Sequence, residues 1–325
     1  GSWIYFQEID VETSDSTLAK IKKRGPGLVL RGICMGTADV IPGVSGGTIA
    51  LITGIYDELV NSIAAVNGAA VRSLLTGRIA EGMARLNAGF LVPLLGGIGL
   101  AIVSLVKLIT YLLVTHPQPV WGFFTGLILS SALFVSRQVE KWDAAVGLSL
   151  VLGAVFGYVI TSLVPMQTGT ESYKFFFAGT IAIIAMILPG LSGSFLLVIL
   201  GKYQQVFTAV DERELGVLLT FGAGCAVGLL AFSRLLKVLL ARYHSSTMAF
   251  LVGLMLGSLR KVWPFRQVLE EGVVGSGKRV VLRDECIWPG ELTAEVWLSL
   301  GLIVVGMMLV VVLERLGQRG RGEAG

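Results

Sequence analysis

Apolar residues run along this chain in long uninterrupted blocks, without the alternation of a half-buried strand or the one-sided stripe of a soluble helix. Such blocks fall at roughly 90 to 114, 120 to 137, 144 to 164, 216 to 240, 246 to 260 and 295 to 314, close to the ~20 residues that a hydrocarbon core requires of a helix. Two further blocks are interrupted. The run from Gly27 to Ala38 is too short to span and stops at Pro42-Gly43-Val44-Ser45-Gly46, and apolar residues resume from Thr48 to Ile63. Residues 174 to 209 have the same shape around Pro189-Gly190-Leu191-Ser192-Gly193. Two half-length helices about a Pro/Gly turn predict a re-entrant hairpin; the plainer alternative is one kinked span. Broken backbone at that depth is tolerated only against protein or water.

The two breaks are copies of one another. Ala38 to Thr48 recurs 147 residues later as Ala185 to Phe195, and Gly32 pairs with Gly179, Ile52 with Ile199, Gly54 with Gly201 and Tyr56 with Tyr203. That makes nine identities in the 25 positions from Gly32 to Tyr56, against about two or three by chance in so biased a composition. The match continues at an offset of 127, pairing Gly97 with Gly224, Lys107 with Arg234 and Gly126 with Gly253. The twenty-residue difference is taken up by residues 64–88, where Arg72, Arg78 and Arg85 stand among Val, Leu, Ile and Met as in an interfacial amphipathic segment.

A returning hairpin plus three spans is an odd number of crossings, so the second half must be inverted relative to the first. The predicted fold is an all-α integral membrane protein of two inverted repeats, each a re-entrant helical hairpin plus three transmembrane helices. Its divisions are a cytoplasmic tail 1–25, a first repeat 26–165 (hairpin 27–63, amphipathic insert 64–88, three spans), a second repeat 166–315 (hairpin 174–209, three spans, external loop 261–293) and a tail 316–325.

Composition agrees with a membrane bundle: 54% hydrophobic and 15% charged residues, and a mean hydropathy of +0.78. The 42 glycines lie inside apolar runs, where they suit close helix packing and not a flexible linker. With both termini cytoplasmic, 16 Lys and Arg fall inside against 9 outside, with Lys107 inside a span. One region runs against this count. Arg260, Lys261, Arg266, Lys278, Arg279 and Arg283 all lie in the loop placed outside, offset there by six acids. The net charge of +4 therefore speaks to topology and not to nucleic acid, and the three scattered cysteines give neither a disulfide framework nor a metal spacing.

Each break places glycines and hydroxyls where a half-helix begins inside the membrane, and free N–H groups with the positive end of a helix dipole favour an anion there. The candidate anion-binding residues are Gly43, Ser45, Gly46, Gly47 and Thr48 in the first copy and Gly190, Ser192, Gly193 and Ser194 in the second. Set against this is the reading that Gly and Ser merely let the hairpins pack. Arg31, Lys107 and Arg234 are the candidate cations, the last two being repeat mates that otherwise snorkel to their interfaces. Asp39 and Glu58 have no acidic mates, since Met186 and Gln205 stand in their places. Ionisable groups at membrane depth are costly, which makes these two the candidates for ion coupling. The plain alternatives are a cap or an Arg31 partner for Asp39, and a solvated interfacial residue for Glu58.

Gly43-Val44-Ser45-Gly46 also spells the motif of intramembrane serine proteases, but a nucleophilic serine needs a base. His116 falls in an outside loop between Thr115 and Pro117 and His244 at a cytoplasmic helix end, so neither is placed for that role. No catalytic residue, metal or cofactor is expected; a proton or sodium gradient is the expected energy source.

From Gly32 to Thr48 with Gly54-Ile55-Tyr56, and from Ala185 to Ser194 with Gly201-Lys202-Tyr203, the sequence resembles the polyprenyl-phosphate transporter family, over roughly residues 25 to 315. The resemblance implies a substrate. It would be undecaprenyl phosphate or a related polyprenyl phosphate, returned from the outer to the inner leaflet of the bacterial cytoplasmic membrane for cell-wall synthesis. A secondary transporter of a small soluble anion and a lipid-phosphate enzyme are the competing readings. The latter usually wants a histidine or an acidic metal cluster at the membrane face.

Overall fold

The computed structural model of the chain describes residues 14–39, 45–66, 70, 72–73, 76–166, 168–274 and 278–322. In the first half the helices are α1 (Ser14–Asp39), α2 (Gly46–Ile52), α3 (Tyr56–Ala64), α4 (Ile79–Arg85), α5 (Ala88–Thr115), α6 (Pro117–Ser136) and α7 (Ala144–Ser162). The second half follows with α8 (Ser172–Ile187), α9 (Gly193–Ile199), α10 (Tyr203–Asp211), α11 (Leu215–Arg242) and α12 (His244–Val262), then β1 (Arg266–Val274), β2 (Lys278–Cys286) and α13 (Ala294–Gly322).

The repeat offsets reappear in these boundaries. Adding 147 to the bounds of α2 and α3 gives those of α9 and α10, and adding 127 to those of α5 gives those of α11. Packing repeats as well: α1 lies on α5 as α8 lies on α11, and α6 lies on α13 as α12 lies on α7. Small residues make these contacts, because lipid tails provide no hydrophobic drive between helices and close backbone approach must do the work. Gly32 and Gly97 face each other with no room for a side chain, and their mates Gly179 and Gly224 meet the backbone of α11 and α8 in the same way. Gly126 rests on the Ile303 carbonyl and its mate Gly253 on that of Leu150.

Among the described residues five helices are long and apolar enough to cross a membrane: α5, α6, α7, α11 and α13. The chain is a helical membrane protein. The sixth expected span is not among them. Residues 246 to 260 do form a helix, α12, but it begins His244-Ser245-Ser246-Thr247, ends on Arg260-Lys261, and buries Ala249, Leu251, Val252, Leu254 and Met255 against its neighbours. Enclosed by protein, it needs less apolar sequence than a lipid-facing helix.

Three further features add to the expected plan. The bundle is all-α, but the loop 261–293 carries an antiparallel hairpin of β1 and β2 with Arg266 opposite Cys286. The tail 1–25 is helical from Ser14, because α1 continues through Pro26 into the first apolar run. Each hairpin holds three helices where two were expected. Gly54 (φ +68°) and Gly201 (φ +65°) take the left-handed conformation, and the following amides bond back to Ala50 (2.9 Å) and Leu197 (2.8 Å), ending α2 and α9 in the same turn.

Candidate functional site

The second break is shaped by its proline. Leu188, which precedes Pro189, is forced out of the helical region (ψ 128°) and ends α8; Ser192, also extended, starts α9. Gly190 turns the chain at φ +85° against α12, where an added Cβ would lie 2.7 Å from Ser258 Oγ. Gly43 lies outside the described residues, as does all of 40–44.

The breaks meet inside the bundle. Ser45 Oγ accepts from the Gly47 amide (3.1 Å), capping α2, and donates to the Met186 carbonyl (2.9 Å). Thr48 Oγ1 accepts from the Gly190 amide (3.1 Å), and Tyr56 Oη donates to the Ile187 carbonyl (3.2 Å). An added Cβ on Gly47 would sit 2.5 Å from the Ile187 oxygen, so this crossing requires glycine. Ser45 and Thr48 are fully buried. Their hydroxyls join the two hairpins, which is the packing role set against the anion-binding one.

Asp39 belongs to the same cluster. Its Oδ1 accepts from the Gly46 amide at 2.7 Å, so a carboxylate already occupies the first break where an external anion was expected. At the mate position the Met186 side chain packs on Gly193. Ser192 makes no cap bond; its hydroxyl pairs with Ser194 Oγ at 2.8 Å. One proton of that pair bridges the two oxygens, and the second makes no bond among the described residues.

The other predicted residues lie elsewhere. Glu58 receives Arg24 (3.0 Å) and Asn87 (3.4 Å) at the outer face of α3, separate from Asp39. Arg234 Nη2 donates to the Val66 carbonyl (2.8 Å) and ties α11 to the end of the first hairpin. Its mate Lys107 is exposed on α5, and Arg31 is half-buried on α1, about 12 Å along the helix from Asp39. Among the described residues neither Lys107 nor Arg234 makes a hydrogen bond to the breaks.

Two lysines were missed by the sequence reading. Lys202, 1% exposed, donates to the Gly169 carbonyl and to Gln205 Oε1 (2.7 Å) and lies 4.2 Å from the Phe175 ring, fastening the α9–α10 turn. Lys261 places Nζ 4.7 Å from the ring of Phe195, the residue after Ser194. Lys261 was counted only as a topological charge, and Lys202 appeared only within the Gly201-Lys202-Tyr203 motif. An open apolar groove of about 670 Å³ was also unforeseen; Pro26, Val29, Leu30 and Ile33 of α1 and Val92 and Pro93 of α5 line it. Among the described residues no three His, Cys, Asp or Glu side chains cluster as metal ligands would.

Comparison with known proteins adds a family to this geometry. Residues 35–280 match the model of the VCA0040-like family, described as undecaprenyl phosphate translocase-like. A protein of Vibrio cholerae serotype O1 named polyprenyl-phosphate transporter is 45% identical over 296 residues, covering 89% of this chain and 96% of that one. A protein of Staphylococcus aureus with the same name is 31% identical over 255 residues, covering 73% and 85%. No solved structure matches the chain. With a family model covering most of its length and relatives matched over 89% and 73% of it, the chain belongs to the undecaprenyl phosphate translocase-like family.

Proposed function

We propose that this chain transports a polyprenyl phosphate, undecaprenyl phosphate or a close relative, from the outer to the inner leaflet of the bacterial cytoplasmic membrane. The observation that carries the reading is the meeting of two duplicated hairpin breaks inside the bundle, Ser45 on Met186 and Thr48 on Gly190. Such breaks are where transporters of this design hold a charged group. Both relatives carry the matching name. The apolar groove between α1 and α5 favours a lipid over a soluble anion, since it offers a prenyl tail a place beside the hairpin.

The halves are inverted repeats, and their rocking exposes the site to each side in turn. An asymmetry supports this: α3 packs on α11, and Arg234 of α11 bonds Val66 just beyond α3, whereas the equivalent pair, α10 and α5, makes no comparable contact among the described residues. One face is latched while its counterpart is not. Asp39 couples transport to a proton or sodium gradient, since losing or exchanging its charge at the Gly46 amide alters the joint between the hairpins; Glu58 is the second candidate for that role. The test is reconstitution into liposomes with polyprenyl phosphate resolved by leaflet. Protein-dependent loss from one leaflet is expected; absence of flipping, with rapid uptake of inorganic phosphate, would overturn the lipid assignment.

A further inference from the structure

Arg260, Lys261 and Arg266 converge where α12 ends and β1 begins. Asp284 on β2 holds two of them, with Arg266 Nη1 at 3.1 Å and Arg260 Nη2 at 3.7 Å. Arg260 is fixed further by Ser162 Oγ (2.5 Å), the Asp284 carbonyl (2.8 Å) and the Tyr158 ring, and Arg266 stacks over Trp121. Lys261 is left over. It is half-buried, and among the described residues its ammonium has no carboxylate within ion-pairing distance, only the face of Phe195 and the shared, longer-range field of Asp284, Arg266 and Arg260. Desolvating a cation without a counter-ion is unfavourable, so a site built this way is completed by an anion.

What that anion meets is set by α12. Ser258, one turn before Lys261, lies against Gly190, and Lys261 lies against Phe195, so one face of α12 runs along the whole second break. Ser192 and Ser194 lie between those points in the chain, and one of their two hydroxyl protons makes no bond among the described residues. A phosphate monoester wants this combination: one mobile point charge and neutral donors, firm enough to capture and loose enough to release.

We propose that Lys261, with Ser192 and Ser194, forms the capture site for the phosphate monoester of the transported lipid, on the side that the charge count places outside. The inference rests on the transport reading above and goes beyond it in naming the residues and the side. It also accounts for the region that breaks the positive-inside count. Three cations against the single Asp284 carboxylate make an electropositive mouth that draws a dianion in, and the β-hairpin, carrying Asp284 and anchored by Trp263 Nε1 on the Ile287 carbonyl (3.2 Å), holds that mouth in place.

The experiment measures binding to the purified full chain in nanodiscs, using polyprenyl phosphate, the corresponding prenol and inorganic phosphate as separate probes. Lys261→Gln is expected to weaken polyprenyl phosphate at least about tenfold and leave the prenol unchanged, Lys261→Arg to recover most of the affinity, and Ser194→Ala to lose a smaller factor. Wild-type affinity in both Lys261→Gln and Ser194→Ala overturns the site while leaving the transport reading intact. Lys261-dependent binding of inorganic phosphate without binding of the lipid upholds the anion site and overturns the lipid assignment. Lys261→Arg and Ser194→Ala keep the test decisive if Lys261→Gln fails to fold.

Discussion

The two Pro-Gly-x-Ser-Gly breaks share a core sequence and differ in what surrounds it. In the first, Ser45 caps α2 and bonds across to Met186, Asp39 fills the Gly46 amide, and Gly47 lets the Ile187 carbonyl in. In the second, Ser194 stands at the place of Gly47, so the Ser192 hydroxyl turns to its neighbour and away from the backbone. Phe195 stands at the place of Thr48 and receives Lys261. One motif thus serves as a joint in one copy and offers open donors in the other. The lesson is that a duplicated motif fixes a backbone shape, while the positions flanking it decide what the shape is used for.

The sharpest way to break this contrast is to make the first copy resemble the second. Gly47→Ser puts a Cβ 2.5 Å from the Ile187 oxygen; a loss of about 2–4 kcal/mol is expected, read as a fall in thermal midpoint in detergent together with loss of transport. The reciprocal Ser194→Gly should leave stability nearly unchanged, and equal effects of the two would erase the distinction drawn here.

Next in size, Asp39→Asn keeps an oxygen for the Gly46 amide and removes the charge. Transport should slow about tenfold or more and lose its dependence on pH or sodium. An unchanged rate with unchanged ion dependence would reduce Asp39 to a helix cap. Ser45→Ala removes one cap bond and one cross-hairpin bond at a buried position, for an expected cost of about 1–2 kcal/mol by chemical or thermal unfolding, whereas Ser192→Ala should cost less.

The smallest effect belongs to the exposed pair that opens α8. Lys174 hydrogen-bonds Glu171 at 3.0 Å and holds its carboxyl below the ordinary carboxylate range. A lowered folded-state value means that the contribution is present above the ordinary range and fades as pH falls through the folded value. Glu171→Gln should therefore be indistinguishable from wild type in acid and at most marginally weaker at neutral pH, since exposed pairs contribute little.

Much of this was legible in the residues, and the exceptions have physical causes. The offsets of 147 and 127 foretold which helices share boundaries, and the glycines they align stand at equivalent helix contacts because close packing admits only glycine there. The β-hairpin did leave a turn signal, Gly275-Ser276-Gly277 between Val-rich runs, but the charges in the same stretch mask its strand pattern. The α2–α3 and α9–α10 turns left a trace in the matched glycines 54 and 201, but a positive φ is not itself written in a sequence. Lys261 left none, since its role depends on Asp284 taking both neighbouring arginines from another strand.

By itself the sequence determined a membrane bundle built twice over, with a glycine-bearing break in each half, because apolar length and residue size are local properties that survive any arrangement of the helices. Only the tertiary structure decided that Ser45 and Thr48 are engaged across the breaks, that Glu58 stands apart from Asp39, and that Lys261 lies over the ring of Phe195, the residue after Ser194. Hydrogen-bond capacity is written in the chain. Which partner uses it is settled by the fold, for Ser45 and Thr48 by residues more than a hundred positions away.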